Sequence, residues 1–284
     1  MTAMDVSVEQ FKKKLAEVRE ISTLPQVMAR IMEIVTDENS CAVDLANEIA
    51  KDKSLTAKIL KMVNSAYYGF YREIVRVSDA VVVLGFNEIR RLSLAISVLD
   101  ILGRSKRNEI RLKLWNHSLA CAALSDILAK QWRVHDSGAF TAGLLHDIGK
   151  AVLDQYFPSM FTAVQASVLK VSLKAHEAER LLFNFDHADI GCWLCEQWNL
   201  PVSLSEAIRY HHRTESAEEE LPLAKVVRIA NNLANEFAEL KSAGLSVTDV
   251  YFERDGEFPP EKKVEMFREL EKRMTSSKAA DILG

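Results

Sequence analysis

The sequence predicts an all-α, multi-helical protein, and two observations carry this prediction. Apolar residues recur at helical spacing along most of the 284-residue chain, whereas the alternation typical of half-buried strands is nearly absent. The β-branched run at residues 75–77 is too short for a strand. The β-branched residues 81–83 lie between Ser78 and Gly85, which suit the start and end of a short helix. We therefore expect helix almost throughout.

Helices of the N-terminal half are delimited by their apolar faces and capping residues. Apolar spacing predicts an amphipathic helix over residues 8–18 and a second over residues 27–35. Residues that favour the N-cap position are expected to begin further helices: Ser40 or a neighbour, Ser54, and Asn87.

Two helices are predicted near the C-terminus. Ser203 and Glu206 have capping-box spacing directly after Pro201, which predicts a short helix that begins there and ends at residues 211–212. Residues 261–274 are expected to form a charged terminal helix.

Polar stretches suggest how the chain is divided. The stretch at residues 103–108 separates a half without histidine from a half that contains all seven histidines. We predict an N-terminal helical lobe over residues 1–103, a helical bundle over residues 104–240, and a C-terminal helical extension with a frayed tail over residues 241–284. The acidic run at residues 214–220 is expected to be a solvated loop.

Composition and charge bound the functional classes. The chain is 48% hydrophobic and 27% charged, so it can bury a sizeable core. No window approaches the roughly 18 to 20 continuous apolar residues of a membrane span, and the first residues do not resemble a signal peptide. We therefore expect a cytoplasmic protein without a membrane partner. A formal net charge of −4 gives little attraction for phosphate backbones, so nucleic acid ranks behind other partners.

The four cysteines are too few for a disulfide framework in a chain of this length. Cys192 and Cys195 form a C-x-x-C motif, which can bind a metal or act in redox chemistry. Their spacing also places both thiols on one face of a helix, and no second C-x-x-C is present. Core packing is therefore the favoured interpretation.

The most informative segment is residues 143–150, which read as helix and hold the adjacent pair His146 and Asp147. Burial of this pair is costly without a partner. A divalent cation would compensate for the desolvation, because neutral imidazole and carboxylate are both good ligands. A hydrogen-bonded pair without a metal is the alternative.

Other histidines support the metal interpretation. His117, His187, His211 and His212 lie on segments with helical periodicity, and a metal centre between helices can be built from such residues. His135 and His176 fit no such pattern and are expected at the surface.

Several motifs in a fixed order resemble a known family. They are Leu24-Pro25, residues 52–56, residues 63–69, residues 82–85, Trp115-Asn116-His117 and residues 143–150. The chain resembles the HD superfamily of metal-dependent phosphohydrolases. More specifically, it resembles HDOD proteins, the HD-related output domains of bacterial signalling systems. The resemblance runs from about residue 24 to about residue 235 and implies an HD-like helical bundle.

This resemblance also implies a ligand set. In HD phosphohydrolases, an early histidine, the His-Asp pair and a late aspartate hold the metal, and His117, His146 and Asp147 match the first three. Asn231 stands where the late aspartate is expected. An amide oxygen can coordinate a metal but lacks the charge of a carboxylate, so the affinity should be lower.

His187, His211 and His212 resemble the additional histidines of the HD-GYP branch, the cyclic-dinucleotide phosphodiesterases, whose centres hold more than one metal. That branch continues with an acidic residue and a Gly-Tyr-Pro segment. Here residues 213–216 are Arg-Thr-Glu-Ser, so cyclic-dinucleotide hydrolysis is not supported.

Asp147 and Lys150 are the candidate catalytic residues. Lys150 follows His146 by four residues and could reach a substrate phosphate from the same helix face. An exposed lysine near a helix end is the alternative.

Two functions remain open. The favoured one is a signalling module that engages a protein partner, has weak or absent catalysis, and retains a divalent metal; Fe, Mn, Mg, Zn and Ni cannot be distinguished. The alternative is a metal-dependent phosphohydrolase that acts on a nucleotide or another phosphate-containing small molecule.

Overall fold

The computed structural model describes residues 7–18, 27, 30–31, 33–34, 40–64, 68–102, 108–134, 138–213, 221–247 and 258–275. Within these ranges every regular element is a helix, so the all-α prediction is confirmed. The helices of the N-terminal half are α1 (Val8–Glu17), α2 (Ala42–Ala50), α3 (Lys53–Val63), α4 (Val77–Leu84) and α5 (Phe86–Leu102).

Nine more helices are described in the C-terminal half. They are α6 (Asn108–Gln131), α7 (Ala139–Leu145), α8 (Ile148–Tyr156), α9 (Pro158–Val171), α10 (Ala175–Phe183), α11 (His187–Gln197), α12 (Val202–Tyr210), α13 (Pro222–Ser242) and α14 (Pro260–Thr275). The last of these agrees with the charged terminal helix that the sequence predicts. The acidic run at residues 214–220 and the tail beyond residue 275 lie outside the described residues.

Some predicted N-caps are wrong by one or two residues. Asp52, not Ser54, caps α3, because its carboxylate accepts the backbone N–H groups of Ser54 and Leu55 at 2.9 and 3.0 Å. Helix α5 begins at Phe86 instead of after Asn87. Its first turn is closed by the carbonyl of Gly85, which also ends α4 with a positive φ of 87°.

Helix α12 also begins earlier than expected. Pro201 occupies the N-cap position, and its carbonyl accepts the N–H groups of Leu204 and Ser205 at 3.0 and 3.2 Å. Ser203 therefore lies in the first turn of the helix. The start of α2 agrees with the predicted N-cap at Ser40 or a neighbour, because Cys41 occupies the N-cap position.

Helix α1 lies against the C-terminal half of the molecule. The buried ring of Phe11 is 4.7 Å from the Phe157 ring and 4.6 Å from the Phe185 ring, measured between centroids. Helices α2 to α5 pack on one another, and α5 also contacts α7 and α8. The buried apolar residues form one continuous core, so the boundary near residue 103 stays a prediction.

The central bundle consists of α6, α7 and α13, with α12 packed against α7 and α13; α11 packs in turn on α12 and α8. Glycine permits close approach at two points. A Cβ at Gly143 would lie 2.8 Å from the Cα of Ala122 on α6, and a Cβ at Gly149 would lie 2.1 Å from the carbonyl oxygen of His187. These contacts bring the α7–α8 junction close to α6 and to the start of α11.

The C-terminal helix α14 is an integral part of the fold. Lys263, which is buried, bonds the carboxylate of Glu236 at 3.0 and 3.2 Å. The ring of Phe267 packs edge-on against Phe237, with centroids 5.5 Å apart. Among the described residues, no helix has the length and apolar character needed to cross a membrane.

Cys192 and Cys195 are buried on α11, as the packing interpretation predicts. Burial raises the pKa of the Cys192 thiol to about 12, and the adjacent Glu196 adds to this effect. The thiol is therefore expected to stay protonated and inert near neutral pH.

Candidate metal centre

The His146–Asp147 pair lies at a break between helices, so the prediction of one helix through residues 143–150 is wrong. Helix α7 ends at Leu145 and α8 begins at Ile148. The break turns both side chains into the interior, where His146 is 0% and Asp147 is 1% exposed. The pair is therefore fully desolvated.

Asp147 is shared by two groups of potential ligands. One group contains His117, His146 and Asp147; the other contains Asp147, His187, His211 and His212, and within each group the ligand atoms lie within 4.8 Å of one another. The structure thus brings together all the predicted histidine ligands from four parts of the chain. Asn231 joins the first group from α13.

The Oδ2 atom of Asp147 faces the first group. His146 Nε2 lies 3.4 Å from Oδ2 and His117 Nε2 lies 3.6 Å from it. The two imidazole nitrogens are 3.2 Å apart, and Asn231 Oδ1 is 3.0 Å from His117 Nε2. The carbonyl oxygen of the amide thus points into the site, as a ligand would.

The Oδ1 atom faces the second group. His187 Nε2 lies 3.1 Å from Oδ1, and His211 Nε2 lies 3.8 Å from it. His212 Nε2 is 2.9 Å from His187 Nε2. The two carboxylate oxygens therefore point towards different sets of imidazoles.

Three of these imidazoles are oriented through their second nitrogen. His146 Nδ1 donates to the carbonyl of Gly143 at 2.7 Å, and His211 Nδ1 donates to the carbonyl of Ile208 at 2.6 Å. His187 Nδ1 donates to the carboxylate of Glu179 at 2.6 Å. In the neutral ring, a proton on Nδ1 leaves a lone pair on Nε2, and the three Nε2 atoms lie 3.1 to 3.8 Å from the carboxylate of Asp147.

Two of the converging atoms lack a hydrogen-bond partner although they are buried: Asp147 Oδ1 and His211 Nε2. Both are acceptors, and only a cation or added protons can satisfy them together. Ligands at right angles around a metal with bonds of about 2.1 Å are about 3.0 Å apart. The separations of 3.2 Å between His117 and His146 and 2.9 Å between His187 and His212 agree with that value. The residues therefore fit a divalent metal.

The charge states of Asp147, His117 and His211 suit metal ligands. Although burial opposes it, Asp147 raises the pKa of His146 and Glu179 raises that of His187, so these two rings must lose a proton when a metal binds. Although burial opposes ionisation, His146 and Lys150 hold the pKa of Asp147 well below its usual value, so it is a carboxylate. Burial lowers the pKa of His117 to about 4. Burial, together with His146 and His187, also lowers the pKa of His211 well below its usual value. These two imidazoles are therefore neutral, which is the form that binds metals.

Lys150 lies at the edge of the site. Its Nζ is 2.7 Å from Asp147 Oδ2, and its side chain is 27% exposed. It is in the first turn of α8 and not near a helix C-terminus. Among the proposed ligands, His117 is also partly exposed, at 16%. His212 is partly exposed as well, so both ligand groups have a member that reaches solvent.

Sequence reasoning missed two residues. Glu179, which is 2% exposed, also accepts the backbone N–H of His187 at 2.8 Å. The sequence signal that could have found Glu179 is a carboxylate placed between Ala178 and Leu182, both of which are buried. His176 was expected at the surface, but it is half-buried and its ring stacks on His212 with centroids 4.0 Å apart. His135 lies outside the described residues.

An ion-pair cluster braces the helices that carry the second group. Asp189 on α11 contacts Arg180 of α10 at 3.1 Å and Arg213, which follows α12, also at 3.1 Å. Asp186, the N-cap of α11, contacts Arg180 at 2.7 Å. These contacts hold α10, α11 and the end of α12 together around the imidazoles.

Comparison with known families agrees with this architecture. The model of the HDOD domain family matches residues 21–214, more than half of the chain. The chain belongs to the HDOD family. The matched segment includes the His146–Asp147 pair and the other four histidines of the centre. Asn231 on α13 lies beyond it.

Solved structures share the fold of this HDOD chain. A candidate phosphohydrolase from Shewanella amazonensis SB2B is similar with a TM-score of 0.75 and 23% identity, over 95% of this chain and 98% of that one. An HDOD domain protein of unknown function from Geobacter sulfurreducens has a TM-score of 0.70 and 23% identity, with 97% and 94% covered. A candidate signal transduction protein from Marinobacter aquaeolei VT8 has a TM-score of 0.69 and 25% identity, with 92% and 59% covered.

Curated relatives are longer than this chain. An uncharacterized protein from Treponema pallidum (strain Nichols) is 28% identical over 219 residues, which are 74% of this chain and 42% of the relative. Ribonuclease Y from Geobacter metallireducens is 30% identical over 138 residues, which are 48% of this chain and 21% of that enzyme. The HDOD chain thus spans less than half the length of these relatives.

Proposed function

We propose that the chain is a metal-binding HDOD module of a bacterial signalling system, which acts through a protein partner and has weak or absent phosphohydrolase activity. The observation that supports the metal-binding part is the convergence of imidazole nitrogens on both oxygens of buried Asp147. The signalling part is supported by membership of the HDOD family and by the likeness to the Marinobacter protein.

The two groups that share Asp147 would hold the metal. His117, His146 and Asn231 would bind on the Oδ2 side, and His187, His211 and His212 on the Oδ1 side. A bound divalent metal supplies a Lewis acid for a phosphate oxygen or for water. Imidazoles outnumber carboxylates in both groups, which favours a transition metal such as Fe, Mn, Zn or Ni over Mg.

Asn231 supports weak or absent catalysis. It places an uncharged amide 3.0 Å from His117 Nε2, where hydrolases of the HD superfamily have a carboxylate. A buried site with one carboxylate for two groups of ligands has little negative charge to hold two divalent ions. In this proposal the metal maintains the arrangement of α6, α7, α11 and α12 that a partner binds.

A metal-dependent phosphohydrolase is the second candidate, and one observation favours it. Asp147 is shared by two ligand groups, the arrangement that a clamp of two metals on a phosphate would use. Lys150 and His117 border the same site and are partly exposed, so the Lys150 ammonium could bind a substrate phosphate. The substrate class would be a nucleotide or another phosphate ester.

An activity screen distinguishes the two candidates. The full chain, loaded with Mn²⁺, would be assayed with bis(p-nitrophenyl) phosphate, nucleotides and a short RNA, beside Asp147→Asn. The RNA is included because a ribonuclease is among the relatives. We expect rates far below the common enzyme range of about 1 to 10³ s⁻¹. A rate within that range that is lost in Asp147→Asn would contradict the non-catalytic proposal and support the hydrolase.

The proposal that the chain acts through a protein partner is tested separately. The wild-type chain and Asp147→Ala would be used as tagged bait in the native host, and bound proteins would be identified by mass spectrometry. We expect a signalling protein that the wild type retains and the metal-site variant loses. Identical sets of bound proteins with both baits would contradict a metal-dependent partner surface.

A further inference from the structure

Lys150 already provides a cation to one oxygen of Asp147. Its Nζ lies 2.7 Å from Oδ2, closer than His146 Nε2 at 3.4 Å or His117 Nε2 at 3.6 Å. An ammonium at this distance makes a charge-assisted hydrogen bond. Oδ2 is thus satisfied before any metal binds.

The other oxygen has no such partner. Among the described residues, no donor bonds Oδ1, although this atom is buried. The nearer of its two imidazole neighbours is His187 Nε2 at 3.1 Å, and the Nδ1 atom of that ring donates to Glu179 at 2.6 Å. Among the described residues, Oδ1 therefore has only imidazoles beside it, whereas Oδ2 has the Lys150 ammonium.

The formal charges of the two sides differ accordingly. On the Oδ2 side, the Lys150 ammonium places a positive charge beside the position where His117, His146 and Asn231 would hold an ion. On the Oδ1 side, no lysine or arginine among the described residues pairs with Asp147, and the Glu179 carboxylate adds a negative charge behind His187. A divalent ion is therefore attracted more strongly to the Oδ1 side.

We propose that Lys150 is an internal cation that makes the two sides of the centre unequal. The Oδ1 side, with His187, His211 and His212, takes the first divalent ion. The Oδ2 side, with His117 and His146, takes a second ion only when the Lys150 ammonium leaves Asp147. This proposal rests on the metal-binding function proposed above and adds the order in which its two sides are filled.

Lys150 can leave without a change of fold. Its side chain is 27% exposed, whereas Asp147 is 1% exposed, so the lysine side chain already has contact with solvent. A lysine side chain has a flexible four-carbon stem, and its charge is well solvated in water. The energy to be overcome is the attraction of one charged pair, which a second ion must replace.

Titration of the metal-free full chain with Mn²⁺ tests this order. Mn²⁺ is suitable because thiolates, which prefer softer metals, compete weakly for it. Isothermal calorimetry would be performed on the wild type, Lys150→Met and Lys150→Arg. Lys170→Met is the matched control, since Lys170 is exposed and lies on α9. Circular dichroism verifies folding, and Lys150→Gln replaces Lys150→Met if the latter does not fold.

We expect the wild type to bind one ion tightly and a second weakly or not at all. Lys150→Met should tighten the second step by at least about tenfold, because a positive charge next to the second ion has been removed. Lys150→Arg and Lys170→Met should behave like the wild type.

Two results would overturn the proposal, and they have different consequences for the metal-binding function. If Lys150→Met leaves the second step unchanged, Lys150 does not control the Oδ2 side, but the metal-binding function stands. If no variant binds Mn²⁺ at all, the metal-binding function and the proposed order are both contradicted.

Discussion

Glu179 accepts a hydrogen bond from Nδ1 of His187 at 2.6 Å, and this contact connects α10 to the candidate metal centre. The same carboxylate also accepts the backbone N–H of His187. One acidic residue thus determines both the position of the first residue of α11 and the tautomer of its imidazole.

Replacement of Glu179 by glutamine should weaken metal binding. The amide keeps the volume but removes the negative charge that increases the basicity of His187. Loss of such an outer partner typically lowers metal affinity about 10- to 100-fold, which calorimetric titration would measure. Glu239→Gln is the control, because Glu239 is exposed on α13. Equal affinities for Glu179→Gln and the control would show that this contact does not support the centre.

Asn231→Asp should strengthen binding on the Oδ2 side. It restores a carboxylate 3.0 Å from His117 Nε2 at a position that is 4% exposed. Without metal, the unpaired buried carboxylate should lower the melting temperature, and excess Mn²⁺ should reverse that loss. Thermal unfolding without metal measures the decrease in melting temperature, and unfolding with Mn²⁺ measures its recovery. The exposed neighbour Asn232, changed to Asp, should show neither effect.

Gly149→Ala should destabilise the fold and the centre together. The added Cβ would lie 2.1 Å from the carbonyl oxygen of His187, so α8 and α11 must separate. Overpacking of this kind costs about 1 to 3 kcal/mol, and contact with a backbone oxygen places it at the upper end. Denaturant unfolding and metal titration would measure the two losses.

Gly244→Ala is a useful comparison for that variant. It has a positive φ of 70° but open space for a Cβ. It should cost about 1 kcal/mol of unfolding free energy and leave metal affinity unchanged. If Gly149→Ala had no more effect than Gly244→Ala, the close approach of α8 to α11 would be incorrect.

Thiol reactivity tests the packing of the C-x-x-C motif. Cys41 is exposed, whereas Cys121, Cys192 and Cys195 are buried. Because the pKa of Cys192 is raised to about 12, it should remain a thiol between pH 7 and pH 9. An Ellman assay on the folded chain should detect one fast thiol, absent from Cys41→Ser. Fast reaction of Cys192, or a disulfide between Cys192 and Cys195, would show that the motif is not simply packed.

Much of the fold follows from local patterns. The spacing of Phe11 and Leu15 predicts α1, and the residues between Ser78 and Gly85 predict α4, because both signals are local and periodic. The contact of α1 with the Phe157 and Phe185 rings has no local signal. It depends on which apolar faces meet after folding.

The sequence predicts which types of residue form the candidate centre, but it predicts little of their geometry. Adjacent His146 and Asp147 in an apolar segment already indicate a buried polar site. The helix break at this pair was not apparent, because residues 139–156 have continuous helical periodicity. Glu179 was missed because a single glutamate in a charged amphipathic helix resembles a solvated residue until its neighbours in space are known.

Metal content tests the central claim most directly. The chain would be purified without added metal or chelator and assayed by plasma mass spectrometry, together with Asp147→Ala and the exposed-site control Asp79→Ala. Because both ligand groups share Asp147, we expect at least one transition-metal ion per chain in the wild type and the control, and none in Asp147→Ala. Wild-type protein without metal, and unable to take up Mn²⁺ or Zn²⁺ when these are supplied, would contradict the account.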